Sequence, residues 1–496
     1  MTVSVLDELA TVVGPSFLST DPDVLAGRSV DHTGRYTGRA SALVRPGSAE
    51  EVAAVLRCCR DAGVHVTVQG GRTSLVAGTV PEHDDVLLST ERLIEIGAVD
   101  TVERRVRVGA GVTAAALQAA AHAAGLVFGV DLASRDTATL GGMASTNAGG
   151  LRTVRYGNTG EQILGLDVAL PDGSRLHRHS DVRRDNTGYD LSALLVGAEG
   201  TLGVITALDI RLHPAPRHRV TAIAGFDTLG ELVDAGRILR DVETIAALEL
   251  IDARGAQIAA DRLGVPVPVS ARWMLLIELA GDDDQTARLA DLLEQLPLAG
   301  EPAVGIDASS CARLWRVRES VNEILAAFGP PLKFDVSLPL SQVQPFEEAA
   351  AELLAREVPD AIPVLFGHVG EGNLHLNVLR CRPESERALY TQMMDLIAAH
   401  HGNVSSEHGV GSRKRDYLSL ARDQVDIAAM RTIKSAFDPD GYLNAAVLFP
   451  GGSASAEEPA GPTLAGSDHQ CGGGGASEAS AGGAEATPGP SANNPG

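Results

Sequence analysis

Between residues 40 and 215 the hydrophobic positions switch repeatedly between helical and strand spacing. Ser48 and Glu51 stand at capping-box spacing, and Val52, Val55, Leu56 and Cys59 follow at helical intervals. Gly63 offers the left-handed residue that closes such a helix. Val64, Val66 and Val68 then alternate as a strand running into Gly70 and Gly71. Thr113 opens an Ala-rich helix that ends near Gly125. Residues 166–170, then Pro171-Asp172-Gly173 and Arg175 onward, predict a hairpin. The run His213-Pro214-Ala215-Pro216 breaks the pattern and marks a domain boundary.

Beyond it the spacing changes character. Strands such as 273–279 are interleaved with long amphipathic helices over 307–328 and 340–358, which predicts an α+β domain. Residues 400–450 read as helical and end in FDPDGYLNAAVLFP. From Gly451 onward Gly, Ala, Ser, Pro and Glu leave almost nothing to bury, so a disordered tail is expected. The expected division is 1–215, 216–400, 401–450 and the tail 451–496.

Candidate chemistry concentrates in Phe366 to Asn377, FGHVGEGNLHLN, and in Ser405 to Gly411, SSEHGVG. A period of two puts His375 and Asn377 on one strand face, with Leu374, Leu376 and Val378 on the other. His368 precedes a Gly-rich bend that can fold it beside His375. Two imidazoles and a carboxylate, from His368, His375 and Glu407, are the ligand set of a catalytic divalent ion such as zinc with one position open. His408 is left over for proton transfer. The competing explanation is a set of polar loop residues satisfied by backbone.

Composition narrows the classes. With 41 basic against 64 acidic residues the net charge is −23, which opposes binding to nucleic acid or to an anionic membrane. The 496 residues suffice for two or three domains, and 3% aromatics imply an aliphatic core. Cys58, Cys59, Cys311, Cys381 and Cys471 lack C-x-x-C spacing, so no disulfide framework or metal ribbon is expected. No signal peptide or transmembrane run is apparent, and a cytoplasmic protein is expected.

Three Gly-rich, hydroxyl-rich runs end predicted strands: QGGRTSLVAGT at 69–79, TLGGMASTNAGG at 139–150 and GAEGTLGVIT at 197–206. Close backbone approach and exposed N–H groups suit one extended ligand with a pyrophosphate. The spacing is neither Walker A nor G-x-G-x-x-G. A second constellation is Arg318 and Asn322, one turn apart on a helix, followed by Lys333 in KFDVSLP. Two cations facing one pocket bind a carboxylate, whereas on a solvated helix face they do nothing of the kind.

The three runs, with Arg155-Tyr156-Gly157, resemble the FAD-binding domain of the vanillyl-alcohol oxidase type. HVGEGNLH, SSEHGVG and DPDGYLN resemble the D-lactate, glycolate and D-2-hydroxyglutarate dehydrogenase branch, over about residues 15–450. The resemblance implies an α+β chain: a two-subdomain FAD-binding domain, a cap domain with an antiparallel sheet, and a C-terminal segment returning to the flavin. It implies that Gly70, Gly71, Arg72, Thr73, Ser74 and Gly78 line the pyrophosphate. It further implies that Thr139, Gly142, Thr146, Asn147, Gly150 and Gly157 follow the flavin. Glu199, Gly200, Gly203 and Ile205 would hold the adenosine and ribityl side, and Asn444 would approach the isoalloxazine. KFDVSLP is most similar to D-2-hydroxyglutarate dehydrogenases, in which Arg, Thr and Lys hold the distal carboxylate; here Asn322 replaces the Thr.

The expected reaction is therefore FAD-dependent, metal-assisted oxidation of a D-2-hydroxy acid to the 2-oxo acid. His408 would be the base, Asn377 would hydrogen-bond substrate, and Arg318, Asn322 and Lys333 would grip the second carboxylate. The sequence does not name the electron acceptor, which leaves an electron-transfer flavoprotein, a quinone or a cytochrome open, and it leaves a homodimer open as well. A D-lactate or glycolate dehydrogenase, an FAD oxidase using O2, and a catalytically silent electron-transfer flavoprotein are the alternatives.

Overall fold

The computed structural model describes residues 3–449 apart from 180, 181, 183, 184 and 326; the expected tail from Gly451 lies outside the described residues. The described residues form one unit, in which the two N-terminal sheets share a main core and the C-terminal sheet carries a core on each face. Strands β1 (Leu18–Ser19), β2 (Ala40–Val44), β3 (Val66–Gln69) and β4 (Asp85–Ser89) form a sheet ordered β1-β2-β4-β3. The pairings of β4 with β2 and with β3 are parallel, so β2 needs a crossover to reach β3, and the helix Ala49–Asp61 supplies it. Ser48 Oγ accepts the Glu51 N–H at 3.2 Å, while the Glu51 carboxylate reaches past Ser48 to the Gly47 N–H at 2.7 Å. Val52, Val55, Leu56 and Cys59 are buried, and Gly63 takes φ +63° just past the helix end, as the spacing predicts.

Six strands follow: β5 (Arg105–Gly109), β6 (Leu126–Val127), β7 (Ile163–Ala169), β8 (Arg175–Arg178), β9 (Val204–Arg211) and β10 (His213–Pro214). β5, β9, β7 and β8 make an antiparallel sheet that contains the predicted hairpin, β7–β8. β10 pairs with β6, so the His213-Pro214 punctuation also ties the chain back to residue 126.

The remaining strands are β11 (His218–Phe226), β12 (Ile245–Asp252), β13 (Trp273–Gly281), β14 (Ala303–Gly305), β15 (Leu332–Ser337), β16 (Ile362–His368) and β17 (Asn373–Leu379). They form one antiparallel sheet in the order β14-β11-β13-β12-β16-β17-β15. One face buries Phe334, Leu365, Leu374, Leu376 and Val378 against helices that bring Phe346, Met393 and Met394. The opposite face packs Ile251, Val364 and Phe366 against Val317, Val321 and Ile324 of the helix Ala308–Leu325.

Two expectations are corrected. The helix expected over 307–328 runs to Leu325, and the backbone turns at Gly329, φ +88°, ahead of Pro330-Pro331. Phe328 still packs against the core of Val317, Val321 and Ile324, and the guanidinium groups of Arg262 and Arg380 lie 4.2 and 5.1 Å from its ring. Residues 400–450 are helical only over Leu418–Ala421 and Gln424–Phe437, with a single 3-10 turn at Arg415–Tyr417. The stretch 402–414 is irregular, with left-handed turns at Gly409 and Gly411.

Candidate active site

Cross-strand register assembles the site. Lys333 pairs with Asn377 and Asp335 with His375; on the other side of β17, Phe366 pairs with His375, and β12 places Glu249 beside His368. Partners directly opposite one another share a face, so Lys333, Asp335, His375, Asn377, His368 and Glu249 all project from the side away from the Phe334–Leu376 core. The bend Val369–Glu371 is a single 3-10 turn, and it folds His368 next to His375 with ring centroids 5.4 Å apart.

Loop 405–411 brings Glu407 over this face. Its Oε1 lies 3.3 Å from His375 Nε2, 3.6 Å from His408 Nε2 and 3.8 Å from His368 Nε2. The far ring nitrogens face two other carboxylates. His368 Nδ1 bonds Glu249 Oε1 at 2.5 Å, while His375 Nδ1 and His408 Nδ1 lie 3.8 and 3.6 Å from Asp335. Three imidazoles thus turn Nε2 inward and Nδ1 toward an outer carboxylate, the arrangement that orients histidines on a metal. One ligand atom each of Asp335, His375, Glu407 and His408 falls within 4.8 Å of the others. Asp335 Oδ2, however, already accepts the N–H groups of Ser406, Glu407 and His408, each at 3.0 Å, which makes this side chain a support behind the imidazoles.

Electrostatics follow from burial and neighbours. Burial opposes charge on His368, but Glu249 and Glu407 prevail and push it up to about 10. Burial raises the Glu407 carboxyl, yet His368 and His375 hold it well below the usual range. Asp335 is likewise held near about 2 against its burial by His408, Lys414 and His375. Burial pushes His408 down, so its imidazole favours the neutral form, with Asp335 and Glu407 opposing.

The three Gly-rich runs and this face line one cavity of about 540 Å³. Gly70, Gly71, Arg72, Thr73, Ser74, Gly78, Thr139, Gly142, Thr146, Gly150, Glu199, Gly200, Gly203, Ile205 and Asn444 all reach it. Gly71 is required there, since a Cβ would sit 1.9 Å from the Thr137 carbonyl. Thr139 Oγ1 is buried without a partner among the described residues, the condition expected of a hydroxyl placed to hydrogen-bond a cofactor.

Asn147 and Gly157 are not among the lining residues. Asn147 caps the helix Leu140–Thr146 in a left-handed turn and accepts the Gly160 N–H at 2.8 Å. Gly157, at φ +76°, ends the helix Thr153–Tyr156. Glu199 touches the cavity, but its carboxylate, raised by burial, is taken by the N–H groups of Val410 and Gly411 at 2.8 and 2.7 Å. Asn444 bridges Val68 N–H and the Glu199 carbonyl, each at 2.8 Å.

Arg318, Asn322 and Lys333 line the same cavity. Arg318 is buried, donates Nε to Glu249 Oε2 at 2.9 Å and lies 4.4 Å over the Phe366 ring. Lys333, pushed down by burial, has no hydrogen bond or ion pair among the described residues. Asn377 is buried and donates Nδ2 to the His375 carbonyl at 3.1 Å.

Glu249, Asp335 and Lys414 are supporting residues that the motif analysis passed over. Asp335 carried a signal, standing two residues beyond Lys333 on the same strand face, and Glu249 is a lone carboxylate between Leu248 and Leu250. A separate cluster of Asp167, His177 and His179 is closed by the Arg107 guanidinium, which donates to Asp167. No helix among the described residues is long and apolar enough to cross a membrane.

Residues 40–178 match the family model described as "FAD binding domain", and 215–448 match "FAD linked oxidases, C-terminal domain". D-2-hydroxyglutarate dehydrogenase of Xanthomonas citri pv. viticola is 37% identical over 463 residues, covering 90% of this chain and 96% of that one. The mitochondrial D-2-hydroxyglutarate dehydrogenase of Bos taurus is 35% identical over 457 residues, covering 90% and 84%. A D-2-hydroxyglutarate–pyruvate transhydrogenase of Saccharomyces cerevisiae is 33% identical, covering 89% and 94%. Among solved structures, p-cresol methylhydroxylase superimposes with a TM-score of 0.75 at 17% identity, covering 89% and 95% of the two chains. 4-Ethylphenol oxidase from Gulosibacter chungangensis gives 0.74 at 16% identity, covering 90% and 97%. These two share the fold; with identity above 30% across most of both chains, the sequence relatives fix the family. The chain belongs to the D-2-hydroxyglutarate dehydrogenase family of FAD-linked oxidoreductases.

Proposed function

We propose that this protein oxidises D-2-hydroxyglutarate to 2-oxoglutarate with FAD and a divalent metal, zinc by ligand type. The observation that carries the reading is the convergence of three Nε2 atoms on Glu407 Oε1, in the same cavity as Lys333 and the glycine loops. The glycine loops would hold FAD, which would supply the hydride acceptor, and His368, His375 and Glu407 would hold a metal, which would supply a Lewis acid for the substrate hydroxyl.

This chain's own residues do the rest. His408 accepts the hydroxyl proton at Nε2; burial disfavours its charged form, and Asp335 stands behind Nδ1 to stabilise the charge once it forms. Lys333 and Arg318 hold the distal carboxylate, Lys333 as a point charge free of other partners and Arg318 braced by Glu249. Asn322, one turn from Arg318, and Asn377, cross-strand from Lys333, add hydrogen bonds to the acid. The hydroxyl proton leaves on His408; the C2 hydride would go to the bound flavin, and its electrons onward to an electron-transfer flavoprotein, quinone or cytochrome.

Anaerobic absorbance titration tests the reading. D-2-hydroxyglutarate should bleach the oxidised flavin band at lower concentration than D-lactate, and a chelator should abolish the bleaching. Bleaching by D-lactate alone removes the two-cation assignment, and a band that neither acid bleaches removes the reaction.

A further inference from the structure

We infer that Asp335 and Glu199 are a pair of positioning residues that clamp loop 405–411 from two sides and so set where Glu407 and His408 stand. The inference rests on the reading of Glu407 as a metal ligand and concerns what holds it there.

Asp335 Oδ2 takes the backbone N–H groups of Ser406, Glu407 and His408 at 3.0 Å each. Glu199 takes the next available pair, Val410 on Oε1 at 2.8 Å and Gly411 on Oε2 at 2.7 Å. Three plus two makes five of the six N–H groups from 406 to 411 bound by two buried carboxylates. The handover happens at Gly409, at φ +81°, where a Cβ would come within 2.9 Å of Glu199 Oε2. Gly411, at φ +55°, completes the turn, and there a Cβ would meet the Val76 carbonyl at 2.1 Å. Ser405 closes the loop on itself, its Oγ donating to the Gly409 carbonyl at 2.5 Å.

The two carboxylates come from different parts of the fold. Asp335 lies on β15 of the seven-stranded sheet, and Glu199 lies in the third Gly-rich run, itself held through its carbonyl by Asn444. Their charges have a buried counterpart. Lys414 Nζ has no hydrogen-bond partner among the described residues, stands 3.7 Å from Asp335 Oδ2 and interacts electrostatically with Glu199 as well. Asp335 also faces Nδ1 of both His375 and His408. One carboxylate thereby fixes the loop backbone and the aim of two rings, while the other registers the loop against the cofactor loops. A Gly-rich loop without such anchors samples many backbone conformations, and ligand placement loses precision.

The test measures zinc affinity of the full-length, FAD-loaded protein by competition with a chromophoric chelator. Wild type is compared with Asp335→Ala, Asp335→Asn and Glu199→Gln, with thermal melting and FAD content recorded for each. Asp335→Ala should weaken zinc about 10–100-fold, as removal of an outer-shell partner does. Asp335→Asn, which retains one acceptor oxygen, should recover part of that loss. Glu199→Gln should weaken zinc by several-fold with FAD still bound stoichiometrically. A purely structural role would lower melting temperatures and leave zinc affinity of the folded protein unchanged, and that result overturns the inference. Should Asp335→Ala fail to fold, unaltered zinc affinity in folded Asp335→Asn and Glu199→Gln overturns it equally. A wild-type chain that binds no zinc overturns the metal reading, and this inference with it.

Discussion

Glu249 and His368 meet at 2.5 Å, Oε1 to Nδ1, across the β12–β16 ladder, and the other oxygen of Glu249 holds Arg318. A single buried carboxylate therefore braces an imidazole of the proposed metal set and a guanidinium of the proposed substrate subsite. Glu249→Gln removes the charge and keeps the shape. In metal-free protein His368 should then titrate well below its present value of about 10. Histidine NMR titration reads the change, and an unmoved resonance would mean that Glu249 is not the main partner.

His408→Asn should lower kcat by about 10²-fold or more while FAD content and zinc stoichiometry stay as in wild type. Steady-state kinetics with a chemical electron acceptor, combined with metal analysis, make the measurement. Turnover within a factor of about two of wild type would reject His408 as the base.

Lys333→Met removes a cation that has no partner among the described residues, without opening space. The KM for D-2-hydroxyglutarate should rise about 10–100-fold, in line with loss of a charge-assisted contact of about 1.5–3 kcal/mol. D-Lactate, with no second carboxylate, should be nearly unaffected. Equal losses for both acids would place Lys333 outside the distal subsite.

Asp335 sets an acid limit for the metal-free protein. Its folded value of about 2 lies below the ordinary 3.8, so its stabilisation is fully present above 3.8 and is lost as pH falls from there toward 2. The difference corresponds to about 2 kcal/mol. Urea unfolding of Asp335→Asn over that pH range should show a flatter acid limb than wild type; parallel curves would refute the assignment.

Much of the fold was legible because its elements are signalled locally. The caps at Ser48 and Thr113, the Pro-Asp-Gly hairpin and the alternation in 273–279 need no distant partner to be recognised. His368, His375 and Glu407 were legible as a set because glycines mark both segments. Long-range pairing was not legible. Nothing near Glu199 says that its carboxylate meets the N–H of residue 411, 212 positions away, and nothing near Asn147 says that its side chain is spent on Gly160. The end of the helix at Leu325 has no such local mark, since Pro330 restricts the residue directly before it, Gly329.

The strand β15–β17 ladder has a consequence for how this protein can change. Lys333, Asp335, His375 and Asn377 occupy one parity of the two strands, and Phe334, Val336, Leu374 and Leu376 the other. Point substitutions at Lys333 and Asn377 can change the groups offered to the cavity without disturbing the packed layer beneath. A one-residue insertion in the short turn at 369–371 is different in kind, because a slip of one position in β17 exchanges the two sets. Divergence of substrate within this scaffold is thus open to substitution and closed to small insertions at that turn.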